Sequence, residues 1–205
     1  MAKIIVKGGG SFERQLPPEG NHAAICYKII SSGTVKDEKF NKDKKRVSIY
    51  WELPQETAVF KEGEPAKPFT VKKNYTLSLH EQSRLRKDLE SWRNKRFTDK
   101  ELEGFDIAKL IGAKCMVSVS HSEDSKYANV MSISTVPKGY DIGEQTNPPL
   151  IFSIDEFDQK VFDQLLEWEK DDVKKSFEYK KMFDDSPIDG DSDDGGNEPE
   201  DDLPF

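Results

Sequence analysis

The run RVSIYWEL, residues 46–53, places Val47, Ile49, Trp51 and Leu53 on one side of an extended chain and Ser48, Tyr50 and Glu52 on the other. A period of two specifies a strand with one face on a core. FTVKKNYTLSL, residues 69–79, repeats it: Phe69, Val71, Tyr75, Leu77 and Leu79 share one face, Thr70, Lys72, Asn74, Thr76 and Ser78 the other, and Lys73 interrupts the apolar side. An earlier apolar run, HAAICYKIIS, ends at Ser31, Ser32 and Gly33, and the polar loop TVKDEKFNKDKK separates it from RVSIYWEL. KCMVSVSHS and KYANVMSISTVP, parted by the turn-forming EDSK and closed by Pro137, supply two more strands.

Between the third and fourth strands the period changes. HEQSRLRKDLESWRNK sets Leu85, Leu89 and Trp92 at helical spacing, and ELEGFDIAKLIG predicts a second short helix stopped by Gly112. Three strands, a helical insert and two strands is the order of an OB-like, five-stranded, partly open Greek-key barrel, although another small β-barrel or sandwich gives a similar string. The expected organisation is a flexible leader at 1–21, a mainly β OB-like barrel at 22–140, a linker and helical segment at 141–183, and a disordered acidic tail at 184–205. In the helical segment Ser153 and Glu156 fit a capping box, and Ile154, Phe157, Val161, Leu165 and Trp168 form one stripe. That stripe reads as cover for the barrel, with a partner-binding helix as the alternative.

Charge is divided unevenly. Residues 1–140 hold 25 Lys and Arg against 18 Asp and Glu, while residues 141–205 hold 6 against 21. A basic body with an acidic end points to a polyanionic partner for the body. No apolar run approaches the ~20 residues of a membrane span, and Lys7 and three glycines cut short the apolar start, so a cytoplasmic protein is expected.

Enzyme signatures are lacking. KGGGSFE has no GK[ST] ending and reads as leader, and no nucleophile–base pair or carboxylate cluster stands out. His22, His80 and His121 are scattered, so neither a metal nor a cofactor is expected, and Cys26 and Cys115 lie in strand-like runs as core residues of a reduced protein. A groove for single-stranded nucleic acid needs cations along the phosphates and flat rings for the bases. The candidate cations are Lys44, Lys45 and Arg46 beside the first loop, Lys72 and Lys73 on the third strand, and Arg84, Arg86 and Arg93 on the helix; the candidate rings are Tyr50, Tyr75 and Tyr127. Tyr50, opposite in phase to Trp51, is the first choice for stacking; Trp51, Phe69 and Trp92 read as core.

The last residues, DDLPF, are three apolar side chains behind an acid run, and they resemble the extreme C-terminal motif of bacterial single-stranded DNA-binding proteins. The resemblance implies that Asp201, Asp202, Leu203, Pro204 and Phe205 dock onto replication, recombination and repair proteins, with the Phe ring in an apolar pocket and its carboxylate on a basic residue. The body departs from that family. NYTLSLHEQSRLRKDLESWRNKRFTDKELEGFDIAKLIGAKCMVSV instead resembles an uncharacterised family of phage and prophage proteins with an extended YTLSL, a Ser-Leu-Arg helix, a Trp-Arg pair and GFD before LIG. Together they imply a phage-type single-stranded DNA-binding protein, non-enzymatic, acting in replication or recombination. The alternative is a recombination adaptor whose barrel binds protein and whose tail mimics DNA.

Overall fold

The alternating stretches form β1 (Gly20–Asp37), β2 (Lys42–Ala58), β3 (Lys67–Thr76), β4 (Lys114–His121) and β5 (Ala128–Ser134), hydrogen-bonded in the order β3-β2-β1-β4-β5 as an open, antiparallel sheet. A sixth strand, β6 (Leu150–Ser153), lies parallel to β1. This computed structural model describes residues 15–38 and 41–183; the expectations for 1–14 and for the tail, including Asp201, Asp202, Leu203, Pro204 and Phe205, lie outside the described residues.

β1 and β2 reach further than their apolar runs suggest. Much of TVKDEKFNKDKK is strand rather than loop: Thr34 to Asp37 pair in register with Lys45 to Lys42, because buried Val35 between polar neighbours continues the period of two. One edge of β1 serves two partners in succession. Gly20 to Ile25 pair with β4, the chain shifts register at Tyr27, and Lys28 to Ser31 then pair with β6. At the handover the Cys26 N–H donates to Ala113 O at 3.1 Å and the Gly112 N–H donates to Cys26 O at 2.7 Å. No backbone ladder is found between β3 and β5 among the described residues. A β3 side chain nevertheless bridges the gap, since Lys73 Nζ donates to the main-chain carbonyl of Met131 in β5 at 3.2 Å.

The insert begins with α1 (Arg84–Arg93), capped by the Ser83 hydroxyl, which accepts the Arg86 N–H, and ended by Asn94 in the left-handed region. The expected second helix is split. α2 (Asp99–Glu103) starts in a Thr98–Glu101 capping box, and after Gly104 the Asp106 carboxylate accepts the Ala108 N–H and opens a separate 3-10 turn, Ile107–Leu110. Gly112 stops that turn with φ 77°.

The C-terminal segment differs most from its sequence reading. Ser153 closes β6 and makes no capping bond; after a turn at Ile154–Glu156, Asp158 caps α3 (Gln159–Asp163), followed by α4 (Glu167–Lys174) and α5 (Phe177–Phe183). Strong local caps explain the breaks: the Asp158 carboxylate accepts the Lys160 and Val161 N–H groups, and the Ser176 hydroxyl donates to Val173 O while accepting from Tyr179 N. No described helix is long and apolar enough to cross a membrane.

Two large cores result, one on each side of β1 and β2, beside a small cluster of Ala23, Ile25 and Ile142. Val47, Ile49, Trp51 and Leu53 pack with Leu85, Leu89 and Trp92 of α1 and with Cys115, Val117 and Ile133. On the other side Ile30 and Tyr50 meet Phe152, Ile154, Phe162, Leu165 and Val173 of the C-terminal segment, which straps across the sheet. Burying those last five side chains stabilises the strap by roughly 8–15 kcal/mol as an upper bound from area. Phe152, Ile154 and Val173 are almost wholly removed from solvent, so the strap is core rather than a loosely held lid.

Candidate nucleic-acid interface

The even-numbered positions of β2 and β3 share the face under the strap, and their register sets Arg46 opposite Thr76, Ser48 opposite Asn74, Tyr50 opposite Lys72 and Glu52 opposite Thr70. β1 extends the middle row by placing Lys28 opposite Tyr50. The row Lys28–Tyr50–Lys72 therefore crosses three strands. At its inner end Lys28 is buried and its Nζ donates to Glu169 Oε1 of α4 at 2.6 Å, 4.3 Å from the Tyr50 ring centroid. Tyr50 is only 5% exposed. Burial, followed by the neighbouring Glu169 charge, pushes its hydroxyl far above the usual tyrosine range. Above it Trp168 leans on the Tyr50 ring, centroids 6.3 Å apart, and Lys72 Nζ lies 3.7 Å from the Trp168 ring centroid.

Tyr50 is thus the clearest departure from the expected site. It occupies the polar phase of β2, as its position demands, but the strap converts that phase into a second core and removes the ring from solvent. Tyr75 is also buried: its hydroxyl donates to Asp88 at 2.9 Å, and Lys73 Nζ reaches the same carboxylate at 2.7 Å. The lysine that breaks the apolar face of β3 therefore ties β3 to α1 and β5. Arg86 donates to Glu90 at 3.1 Å and to Leu79 O at 3.3 Å. Arg93 pairs with Glu101 and spreads its guanidinium over Phe97 and Phe105, 4.6 and 5.0 Å from their centroids. The Thr98 N–H, ahead of the Arg93 contact, holds the Glu101 carboxyl down at about 2.

Cations with access to solvent remain. Arg46 and Arg84 are exposed, while Lys44 and Lys45 are half-buried beside Asp37 and Asp155. Tyr127, 57% exposed, follows the β4–β5 turn. The structure thus gathers Lys44, Arg46 and Lys72 on one sheet face, sets Tyr127 and Arg84 elsewhere, and turns Tyr50, Lys73, Tyr75, Arg86 and Arg93 inward. Trp168, expected in the core stripe, is 42% exposed; the chain between Leu165 and Trp168 leaves helical geometry at extended Leu166, so the two do not share a helix face.

Two carboxylates position the strap and its linker. Glu52 is fully buried and accepts the Thr146 N–H at 2.7 Å, the Asn147 N–H at 2.8 Å and Asn147 Nδ2 at 2.6 Å. Glu178 accepts the Thr34 N–H and hydroxyl, each at 2.7 Å; burial works to raise this carboxyl, and the two Thr34 bonds outweigh it and hold it below the usual range. No cluster of metal-ligating side chains occurs among the described residues. Burial pushes the Cys26 thiol up to about 12, against the Lys28 N–H that it accepts, and raises Cys115 as well, so neither is a ready nucleophile. No protein-family model, curated protein or solved structure matches the chain.

Proposed function

We propose that this protein is a non-enzymatic, sequence-tolerant single-stranded DNA-binding protein of phage type, working in DNA replication or recombination and recruiting other proteins through Asp201, Asp202, Leu203, Pro204 and Phe205. The observation that carries the reading is the stretch of the strap-side face of β2 and β3 that the strap leaves exposed or half-buried, where Arg46 and Lys72 flank the hydrogen-bonded pair Ser48–Asn74, on a body whose first 140 residues are net basic. Phosphates are drawn to such cations whatever the base, which gives affinity without sequence readout. The OB-like description of the sheet belongs to the same proposal. It is supported by β1 pairing with both β2 and β4, by α1 standing between β3 and β4, and by the Lys73 bridge from β3 to β5.

The test is titration of the full chain with labelled oligo(dT) at rising salt. Binding that weakens with a log–log slope of several units is expected, and a flat response or no binding at low salt overturns the reading. Pull-down from bacterial lysate, with and without Phe205, tests the tail in the same preparation: replication and recombination proteins are expected to be lost with Phe205, and equal recovery refutes the docking role.

A further inference from the structure

We infer that the strap itself builds a nucleobase subsite, in which Trp168 is the stacking ring and Lys72 the cation for the adjoining phosphate. The inference rests on the DNA-binding reading above. The sheet face that carries Arg46, Ser48, Asn74 and Lys72 has lost its own ring, because Tyr50 is sealed beneath α4. The strap is too deeply buried to peel away on each binding event, so a ring for that face has to come from the strap. Trp168 is that ring: it stands on Tyr50, keeps 42% of its surface in solvent, and touches the Lys72 ammonium at 3.7 Å from its centroid.

A cation held on an indole face marks a surface that also accepts a flat, electron-poor base. Lys72 has a flexible four-carbon stem. When a base takes the ring face, the ammonium moves to the phosphate beside it, so the cation is exchanged rather than stranded. Glu169 is paired with Lys28, and Glu167, Asp171 and Asp172 each have a lysine three residues on, at 2.9, 3.9 and 3.1 Å. Tyr50 fixes Trp168 from below, and the buried Lys28–Glu169 pair fixes the helix next to it. The ring is therefore held in place before the strand arrives, which limits the ordering lost on binding.

The experiment follows anisotropy of labelled oligo(dT) and intrinsic tryptophan emission with the full chain, W168F, W168A and K72A. Trp51 and Trp92 are buried, so any emission that oligo(dT) quenches belongs to Trp168. W168A is expected to bind about ten-fold more weakly, within the range of one lost stack, while W168F keeps most of the affinity because a phenyl ring still stacks. Oligo(dT) quenches the wild-type emission and not that of W168F, and K72A lowers the salt slope by about one. Wild-type affinity in W168A, or unquenched wild-type emission in the bound complex, overturns the subsite and leaves the DNA-binding reading standing. A folded W168F as weak as W168A also overturns it. Absence of oligo(dT) binding by the wild-type chain at low salt removes both.

Discussion

Replacing Glu169 by Gln removes the charge that neutralises Lys28 while keeping the shape of the side chain. The two side chains are 1% and 10% exposed, so the ammonium that remains cannot turn to water. Breaking a buried pair at one end costs about 3–5 kcal/mol, because an uncompensated charge is left inside. Here the Tyr50 ring, 4.3 Å from Lys28 Nζ, returns up to about 2 kcal/mol of cation–π attraction. The Leu166 N–H, which Glu169 Oε2 accepts at 3.0 Å, can be accepted by the Gln carbonyl, but the amide NH2 then faces the Lys28 ammonium in place of the oxygen that accepted from it. We therefore predict that E169Q destabilises the protein by about 2–4 kcal/mol. The assay is urea unfolding of the full chain at neutral pH, followed by circular dichroism and tryptophan emission, with the slope checked for constancy. The double variant K28M/E169Q has no buried charge at this point and is expected to be more stable than E169Q alone. A change below about 0.5 kcal/mol in E169Q, the level of an ordinary surface substitution, would refute the reasoning. So would a double variant no more stable than E169Q.

Gly33 sits at φ 97°, and a Cβ there would stand 2.6 Å from Ser176 Cβ and 2.8 Å from Glu178 Oε2. G33A should therefore push α5 away from β1 and lose several kcal/mol, combining left-handed strain with the loss of the Thr34–Glu178 bonds; unfolding within about 0.5 kcal/mol of wild type would count against that packing. Glu178 gives a pH dependence of definite sign: its folded carboxyl lies below the unfolded one, so its stabilisation is present above the unfolded value and fades as pH falls through the folded one. E178Q should flatten the stability curve of the full chain between about pH 5 and pH 3, and an unchanged slope there would exclude the linkage.

The inner half of the fold was legible because alternation names a face directly. Val47, Ile49, Trp51 and Leu53 point where their period sends them, and Leu85, Leu89 and Trp92 meet them from α1. Alternation does not say what covers the opposite face. Tyr50 and Glu52 stand among polar residues in sequence, and their cover comes from residues 146–173, about a hundred positions later. The breaks inside the strap are hidden from the sequence for a local reason. Ile154, Phe157, Val161 and Leu165 keep helical spacing across a strand end, a turn and a short helix, and the Asp158 and Ser176 bonds that break the run are each too short-range to show in a periodicity. The contacts of the helix arginines differ in how far the sequence shows them: a carboxylate four residues away from Arg86 is visible there, whereas the Phe97 and Phe105 rings that bracket Arg93 depend on how the chain turns after Asn94.

The shared edge of β1 sets an order of events during synthesis. β1, β2 and β3 are neighbours in the sequence and can pair as successive antiparallel partners as they leave the ribosome, and the contacts of α1 and β4 follow within the first 121 residues. β6 cannot join until position 150 has been made, and it then joins parallel to position 28, the slowest kind of pairing because the loop it closes spans most of the chain. Until then Ile30 and Tyr50 face water and Lys28 lacks the Glu169 counter-charge. The nascent sheet is thus covered on one side only, and its second apolar row closes when the strap docks.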